Sequence, residues 1–326
     1  MRALVTGGAG FIGSSLADRL LRDGWEVSAL DNFDPYYDPA QKRRNVAAAA
    51  RRSEYRLIEG DVRDPDALLR AFDEARPDVV MHLAARAGVR TSVEDPASYV
   101  EVNERGGLNV LMACVQRDRT PLVFASTSSV YGNTSSVPFR EDDAAVEPLS
   151  PYAASKRAAE LMVYAYHHLH QLPVAVLRFF TVYGPRGRPD MAFAKFTRAL
   201  RQKEAIWLHG EETERDFTYI DDIVDGVVGA FDWVRETRGL GTFNLGRTQP
   251  VRVRRLIELM AKELGAEPII RLGELQPGES RVTAADVTRA RDAFGYEPKI
   301  SLEAGIRRWV EWVDESGEAP EELRRG

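Results

Sequence analysis

The chain has 326 residues, with 44 Lys and Arg against 50 Asp and Glu, and a net charge of -6. That balance argues against nucleic acid as a partner, because the basic residues are interspersed with acids. A single cysteine, Cys114, excludes a disulfide framework and a cysteine-rich metal site, and fits a reducing cytoplasm.

The length allows a large core and one or two domains. No signal peptide or membrane-spanning run is expected, since the first residues pass directly into a strand. Ala3-Leu4-Val5 is that strand. Thr6-Gly7-Gly8-Ala9-Gly10-Phe11-Ile12-Gly13 follows, then Ile12, Leu16 and Leu20 at helical spacing. The early glycines let the backbone turn sharply and approach a diphosphate. The last lets the helix pack closely, and the helix N-terminus offers unpaired N–H groups. A second strand, Trp25 to Leu30, ends at Asp31, placed to accept bonds from both adenosine ribose hydroxyls. A three-glycine match alone is an ordinary turn before a helix. Strand, turn, helix, strand and acid together predict a dinucleotide site. Gly7, Gly10, Phe11, Ile12, Gly13, Asp31 and Asn32 are its expected contacts. Asp31 repels a 2′-phosphate, so NAD is favoured over NADP.

Asn32 to Gln41 reads as a loop and Ala47 to Arg52 as a surface helix. A third strand, Tyr55 to Glu59, closes at Gly60-Asp61-Val62. A helix over Pro65 to Ala75 leads to a strand over Asp78 to His82, ending in Leu83-Ala84-Ala85. A helix from about Pro96 to Gln116 precedes the strand Leu122 to Ala125. This alternation predicts an α/β fold, a Rossmann-type doubly wound parallel sheet covered on both faces, with ligands at the carboxyl ends of the strands. Asp61 is positioned either to receive an adenine amino group or to cap the next helix. Gly60, Val62, Leu83, Ala84 and Ala85 suit small or apolar walls against the cofactor.

Ser126-Thr127-Ser128-Ser129 ends a strand, and Tyr152-Ala153-Ala154-Ser155-Lys156 opens a helix that runs to about His170. Tyr152 and Lys156 share one face of it. A phenol with its usual pKa of about 10 is a poor base. A nearby ammonium and a positive nicotinamide favour phenolate, so Tyr152 becomes a plausible base near neutral pH. Alone the pair is common. Behind a dinucleotide fingerprint and a hydroxyl-rich strand end, it predicts a dehydrogenase-type catalytic site. His167, His168 and His170 lack carboxylate or cysteine partners at ligand spacing, so no metal site is expected.

After Arg178 the pattern loosens. Helices are expected near Ala192–Gln202, Asp221–Arg235, Val251–Leu264 and Leu302–Val313, with two apolar segments returning to the main sheet. The expected division is 1–180 for the NAD-binding part and 181–326 for a smaller, discontinuous substrate-binding part. Asp314 to Gly326 reads as a charged, frayed tail.

Gly7 to Gly13, Asp31, Thr127, Tyr152 and Lys156 resemble the extended short-chain dehydrogenase/reductase superfamily, in its nucleotide-sugar branch, over essentially the whole chain. Within that branch the sequence is most similar to the UDP-glucuronate 4-epimerases. The stretches that carry this are Asp31 to Asp38, His82 to Arg90, Arg178 to Met191 and Arg215 to Asp222. Dehydratases of the branch place an Asp-Glu pair after the catalytic Thr, and uronate decarboxylases a nearby Glu. Ser128 and Ser129 stand there instead and provide no carboxylate base. Oxidation and re-reduction at one carbon remain.

The resemblance implies that Tyr152 takes the 4-OH proton as C4 is oxidised, that Lys156 binds the nicotinamide ribose, and that Thr127 bonds the reacting oxygen. The 4-keto sugar then turns about its diphosphate linkage and is reduced on the other face. A 4-keto uronate is a β-keto acid, so its carboxylate must be held out of alignment with the carbonyl. Arg188 is the candidate clamp, assisted by Ser128, Ser129 and Thr181, with a solvated loop charge as the bland alternative. Arg215 is the expected diphosphate ligand, or else a salt-bridge partner of Asp216. Arg90 and Arg281 are further substrate candidates, although Glu279 stands where relatives often have Asp. The resemblance also implies a homodimer built on the helices from Pro96 and Tyr152. Competing readings are a UDP-glucose 4-epimerase and a non-enzymatic NAD-binding regulator.

Overall fold

The computed structural model describes residues 1–132 and 136–316. The tail read from sequence therefore lies outside the described residues from 317 onward. Six strands come first: β1 Arg2–Thr6, β2 Glu26–Asp31, β3 Tyr55–Glu59, β4 Val79–His82, β5 Leu122–Thr127 and β6 Val174–Phe179. The short β7 Thr181–Tyr183, β8 Ala205–His209 and β9 Glu214–Tyr219 follow. Then come β10 Leu240–Leu245, β11 Pro250–Arg252 and β12 Ile269–Gly273.

The main sheet has seven strands in the order β10-β6-β5-β4-β1-β2-β3, and each of its pairings is parallel. Strand order reverses between β1 and β4, which opens a crevice at their carboxyl ends. β4, β5 and β6 are buried along their whole length, as a sheet covered on both faces requires. One of the two segments expected to return to this sheet does so, as β10. The other short strands form a β11-β9-β7 sheet and a β8-β12 pair instead.

Helix starts follow a repeated local signal, a side-chain cap followed by proline. Asp38-Pro39, Asp64-Pro65 and Ser150-Pro151 open the helices Pro39–Val46, Pro65–Ala75 and Pro151–His170. The first of these corrects the loop expected through Gln41. The helix expected over Ala47 to Arg52 reduces to a short turn at Ala49–Arg51. Asp64, not Asp61, caps the third helix. The stretch from Val251 begins as strand β11, and its helix spans Val253–Glu263.

The long helix expected from Pro96 is interrupted. Val100–Arg105 winds as a π-helix between Pro96–Tyr99 and Gly106–Gln116. Such a turn commonly marks a functional site. Here it holds Asn103, whose carboxamide accepts from the Arg86 N–H at 2.8 Å and donates to the Arg86 carbonyl at 3.0 Å. The same amide reaches the Ser155 hydroxyl at 3.0 Å, on the helix that carries Tyr152 and Lys156.

Candidate active site

The crevice is built from the glycine turn outward. Gly7 sits at φ 69°, and a Cβ there would lie 2.8 Å from the Ala84 nitrogen. A Cβ on Gly13 would run into the Gly7 carbonyl. The turn thus needs bare backbone at both places. Gly10 begins the Phe11–Arg22 helix without any side-chain cap, so its first N–H groups are open to an anion. Asp31 binds the loop instead, accepting from Ala9 N–H at 3.0 Å and Phe33 N–H at 2.9 Å. These features fit the diphosphate and ribose of a dinucleotide.

One cavity is lined by Gly7, Gly10, Phe11, Ile12, Gly13, Asp31, Asn32, Asp61, Val62, Leu83, Ala84, Ala85, Tyr152, Lys156 and Arg188. All the expected cofactor contacts therefore meet in one place. Asp61 caps no helix among the described residues. It binds Arg63 at 2.7 Å and the Asn32 amide at 2.9 Å. Burial pushes its carboxyl up, but the hydrogen bonds from Arg63 and Asn32 outweigh that and hold it at about 2.

Tyr152 and Lys156 lie in the floor of the same cavity. Burial raises the Tyr152 phenol above its ordinary value, while a Thr127 hydrogen bond and the charge of Arg188 pull it down. Lys156 sits over the Phe124 ring, 5.3 Å from its centre, and burial pushes its ammonium down to about 8 against an upward pull from Glu160. The expected lowering of Tyr152 by Lys156 is not what the protein alone provides. Desolvation wins, so ready ionisation needs a further positive charge from a bound cofactor.

Thr127 ends β5, and its hydroxyl accepts the Ser129 N–H at 3.2 Å and donates to the Ser129 Oγ at 3.2 Å. Ser128 and Ser129 open the following turn at Ser128–Tyr131. Thr181 begins β7, half-buried. Arg188 is held bidentately by Asp190, with Nε and Nη2 each 2.8 Å from a carboxylate oxygen. Its guanidinium lies 5.7 Å from the centre of the Tyr36 ring.

The three other arginines divide. Arg215 and Arg90 converge on Glu279, at 3.3 Å and 3.0 Å. Glu279 thus bridges the expected diphosphate ligand and a further substrate candidate, and burial lowers Arg215 despite it. The alternative pairing of Arg215 with Asp216 does not form. Asp216 is buried and accepts from the backbone N–H groups of Arg247, Thr248 and Ala285. Arg281 offers its carbonyl to Arg215 at 3.2 Å, and its side chain is exposed. His167, His168 and His170 form the last turn of their helix, where the His167 ring pairs with the Leu172 carbonyl at 2.8 Å.

Several contributors escaped sequence reading. Lys42 is buried with Nζ 3.7 Å from Asp31 and lines the cavity. Tyr36 donates to Asp190 at 3.2 Å. Glu160, on the Tyr152 helix, and Arg178, on β6, form a buried pair. A Lys at the fourth position of a capped helix, or a Glu four residues past Lys156, was visible as spacing. Their partners were not.

A family model described as the NAD dependent epimerase/dehydratase family matches residues 3–246. The chain is 42% identical to UDP-glucuronate 4-epimerase 1 of Arabidopsis thaliana, over 95% of this chain and 76% of that protein. It is 39% identical to a probable UDP-glucuronate 4-epimerase of Rhizobium meliloti, over 97% and 98% of the two chains. Among solved structures, it resembles UDP-glucuronic acid 4-epimerase from Bacillus cereus in complex with UDP-glucuronic acid and NAD. The TM-score is 0.90 at 34% identity, over 97% of this chain and 100% of that one. The Thermus thermophilus UDP-glucose 4-epimerase complex with NAD gives a TM-score of 0.86 at 34% identity, over 96% and 99%.

Proposed function

The chain belongs to the NAD dependent epimerase/dehydratase family, and from that premise we propose that it interconverts UDP-glucuronate and UDP-galacturonate by NAD-dependent epimerisation at C4. The observation that carries the choice of a uronate is Arg188, a guanidinium lining the same cavity as Tyr152 and Lys156. Arginine is suited to planar recognition of a carboxylate.

When bound, NAD supplies reversible two-electron oxidation at C4. The remaining steps fall to the chain. Tyr152 removes the 4-OH proton and later returns it, with Thr127 bonding the same oxygen. Lys156 holds the nicotinamide ribose and adds positive charge below the phenol. The uncapped Phe11–Arg22 helix and the glycine turn hold the diphosphate, and Asp31 the adenosine ribose. Arg215 and Arg90 serve the substrate diphosphate, and Arg281 is a further candidate for the substrate. The 4-keto sugar turns about its diphosphate while Arg188, with Ser128, Ser129 and Thr181, keeps the carboxylate out of line with the ketone.

We assign the protein to the cytoplasm, as the buried free thiol of Cys114 suits a reducing compartment. We assign it as a homodimer on exposed apolar side chains along two helices: Met112 on Gly106–Gln116, and Leu161, Met162 and Leu169 on Pro151–His170. Parallel incubation with UDP-glucuronate and UDP-glucose, with product sugars resolved by NMR, tests the reaction. Conversion of UDP-glucuronate at C4 supports it. Turnover of UDP-glucose alone would transfer the assignment to a neutral-hexose epimerase.

A further inference from the structure

Arg188 does not face the cavity as a free cation. Asp190, two residues on in the same turn, takes the Nε and Nη2 edge of the guanidinium. A backbone bond from Met191 N–H to the Arg188 carbonyl at 3.1 Å closes that turn. Asp190 is itself anchored from a distant loop, because the Tyr36 hydroxyl donates to its Oδ2 at 3.2 Å. Tyr36 continues to Thr91 at 3.3 Å, and Thr91 to Tyr99 at 2.5 Å. The Tyr99 ring meets the Tyr152 ring edge-on, with centres 6.0 Å apart. A chain of polar contacts, closed by one ring contact, thus links the guanidinium to Tyr152. Its Nη1 has no hydrogen-bond partner among the described residues.

Resting on the uronate reading of the site, we propose that Asp190 is a positioning residue that dictates how the substrate carboxylate meets Arg188. Asp190 occupies the side edge of the guanidinium, so the substrate carboxylate is received end-on, by the Nη1 and Nη2 edge, in a fixed plane. The second anion also weakens the attraction, since one guanidinium then serves two carboxylates. Asp190 trades affinity for orientation. Orientation is what a β-keto acid requires: if the C5–C6 bond lines up with the ketone, it breaks. Its electron pair then enters the C4 carbonyl as an enolate and carbon dioxide leaves. C5 takes a proton from solvent, and a UDP-4-keto pentose remains with the cofactor still reduced.

Asp190→Asn removes the charge and frees the guanidinium. KM for UDP-glucuronate should fall about tenfold, the scale of one like-charge neighbour in a partly buried site. Carbon dioxide and reduced cofactor should appear with it, while KM for any UDP-glucose turnover stays unchanged. Tyr36→Phe keeps the charge and loosens the anchor, so it should release carbon dioxide with KM little changed. A merely structural Asp190 gives the opposite pattern: KM rising alike on both substrates, a lower Tm, and no carbon dioxide. That pattern overturns the proposal, as does wild-type behaviour in both variants. If the wild-type protein converts only UDP-glucose, the uronate reading itself has failed. If it converts UDP-glucuronate while the variants are silent, the role of Asp190 alone has failed.

Discussion

Glu160 closes bidentately on Arg178, with Oε1 3.0 Å from Nε and Oε2 2.8 Å from Nη2, one helical turn past Lys156 on the helix that carries Tyr152 and Lys156. Glu160 also accepts from the Ser126 hydroxyl at 2.6 Å and from Arg157 at 2.8 Å. A buried carboxylate with three such partners is a fixed negative charge beneath Lys156. Lys156, pushed by burial to about 8 with Glu160 pulling upward, carries its proton below that value and loses it above. We expect kcat/KM to fall as pH rises through about 8. Glu160→Gln removes the upward pull, so the fall should move to lower pH. It also leaves Arg178 buried without its partner, at a cost of about 3–5 kcal/mol. The pH profiles are therefore compared well below the melting range. An alkaline limb unmoved by the substitution would disconnect Glu160 from Lys156.

Tyr152→Phe removes the phenol that lies with Lys156 in the cavity floor. Turnover should drop by roughly a hundred- to ten-thousandfold, as expected when a general base is lost, with binding of the nucleotide sugar nearly intact. Near-normal turnover would place the chemistry elsewhere. Single-turnover kinetics and binding calorimetry on the same preparation separate the two quantities.

The redox cycle returns the cofactor each turn, so the purified protein should carry NAD and work without added nucleotide. Asp31 stands against a 2′-phosphate, although Lys42 lies 3.7 Å from it and offsets part of its charge. Mass spectrometry of the released cofactor decides, and mainly NADP would refute the reading of Asp31.

Arg188→Ala deletes one charged hydrogen-bond partner of the carboxylate, a loss of about 1.5–3 kcal/mol, or roughly ten- to a hundredfold in kcat/KM for UDP-glucuronate. UDP-glucose never makes that bond and should be nearly indifferent. Equal losses on both substrates would reassign Arg188 to the diphosphate or to the fold.

Leu161 and Leu169 are 55% and 69% exposed on one long helix. Replacing both by Glu should convert a dimer into a monomer without unfolding it, as read by light scattering after size exclusion. An unchanged mass would move the interface away from these helices.

What was readable in the sequence was local. Gly7 to Gly13, the Asp-Pro and Ser-Pro helix starts, and the Tyr152–Lys156 spacing each state their structure within one or two turns of chain. Glu160 and Arg178 stand 18 residues apart, and nothing in that spacing tells that strand β6 turns Arg178 toward the helix. Tyr36 and Asp190 come from loops on different halves of the chain and meet only after folding. The π-helical turn at Val100–Arg105 has no apolar period of its own, so it read as plain helix. β7 and β11 span three residues each, Thr181–Tyr183 and Pro250–Arg252, too short for an alternating pattern to emerge.

Strand β10 closes the main sheet from far along the chain. During synthesis, β6 emerges with both faces destined for burial and one edge bare until Leu240–Leu245 has followed. A fragment ending near residue 180 would keep that edge permanently open to strands of other molecules. Residues 1–180 are therefore not expected to fold as a unit when expressed by themselves. Tyr164, on the catalytic helix, pairs with Thr242 of β10 at 2.9 Å. The last strand of the main sheet to arrive thus also binds the helix that carries Tyr152 and Lys156, and a chain that stops before β10 leaves that helix without this contact.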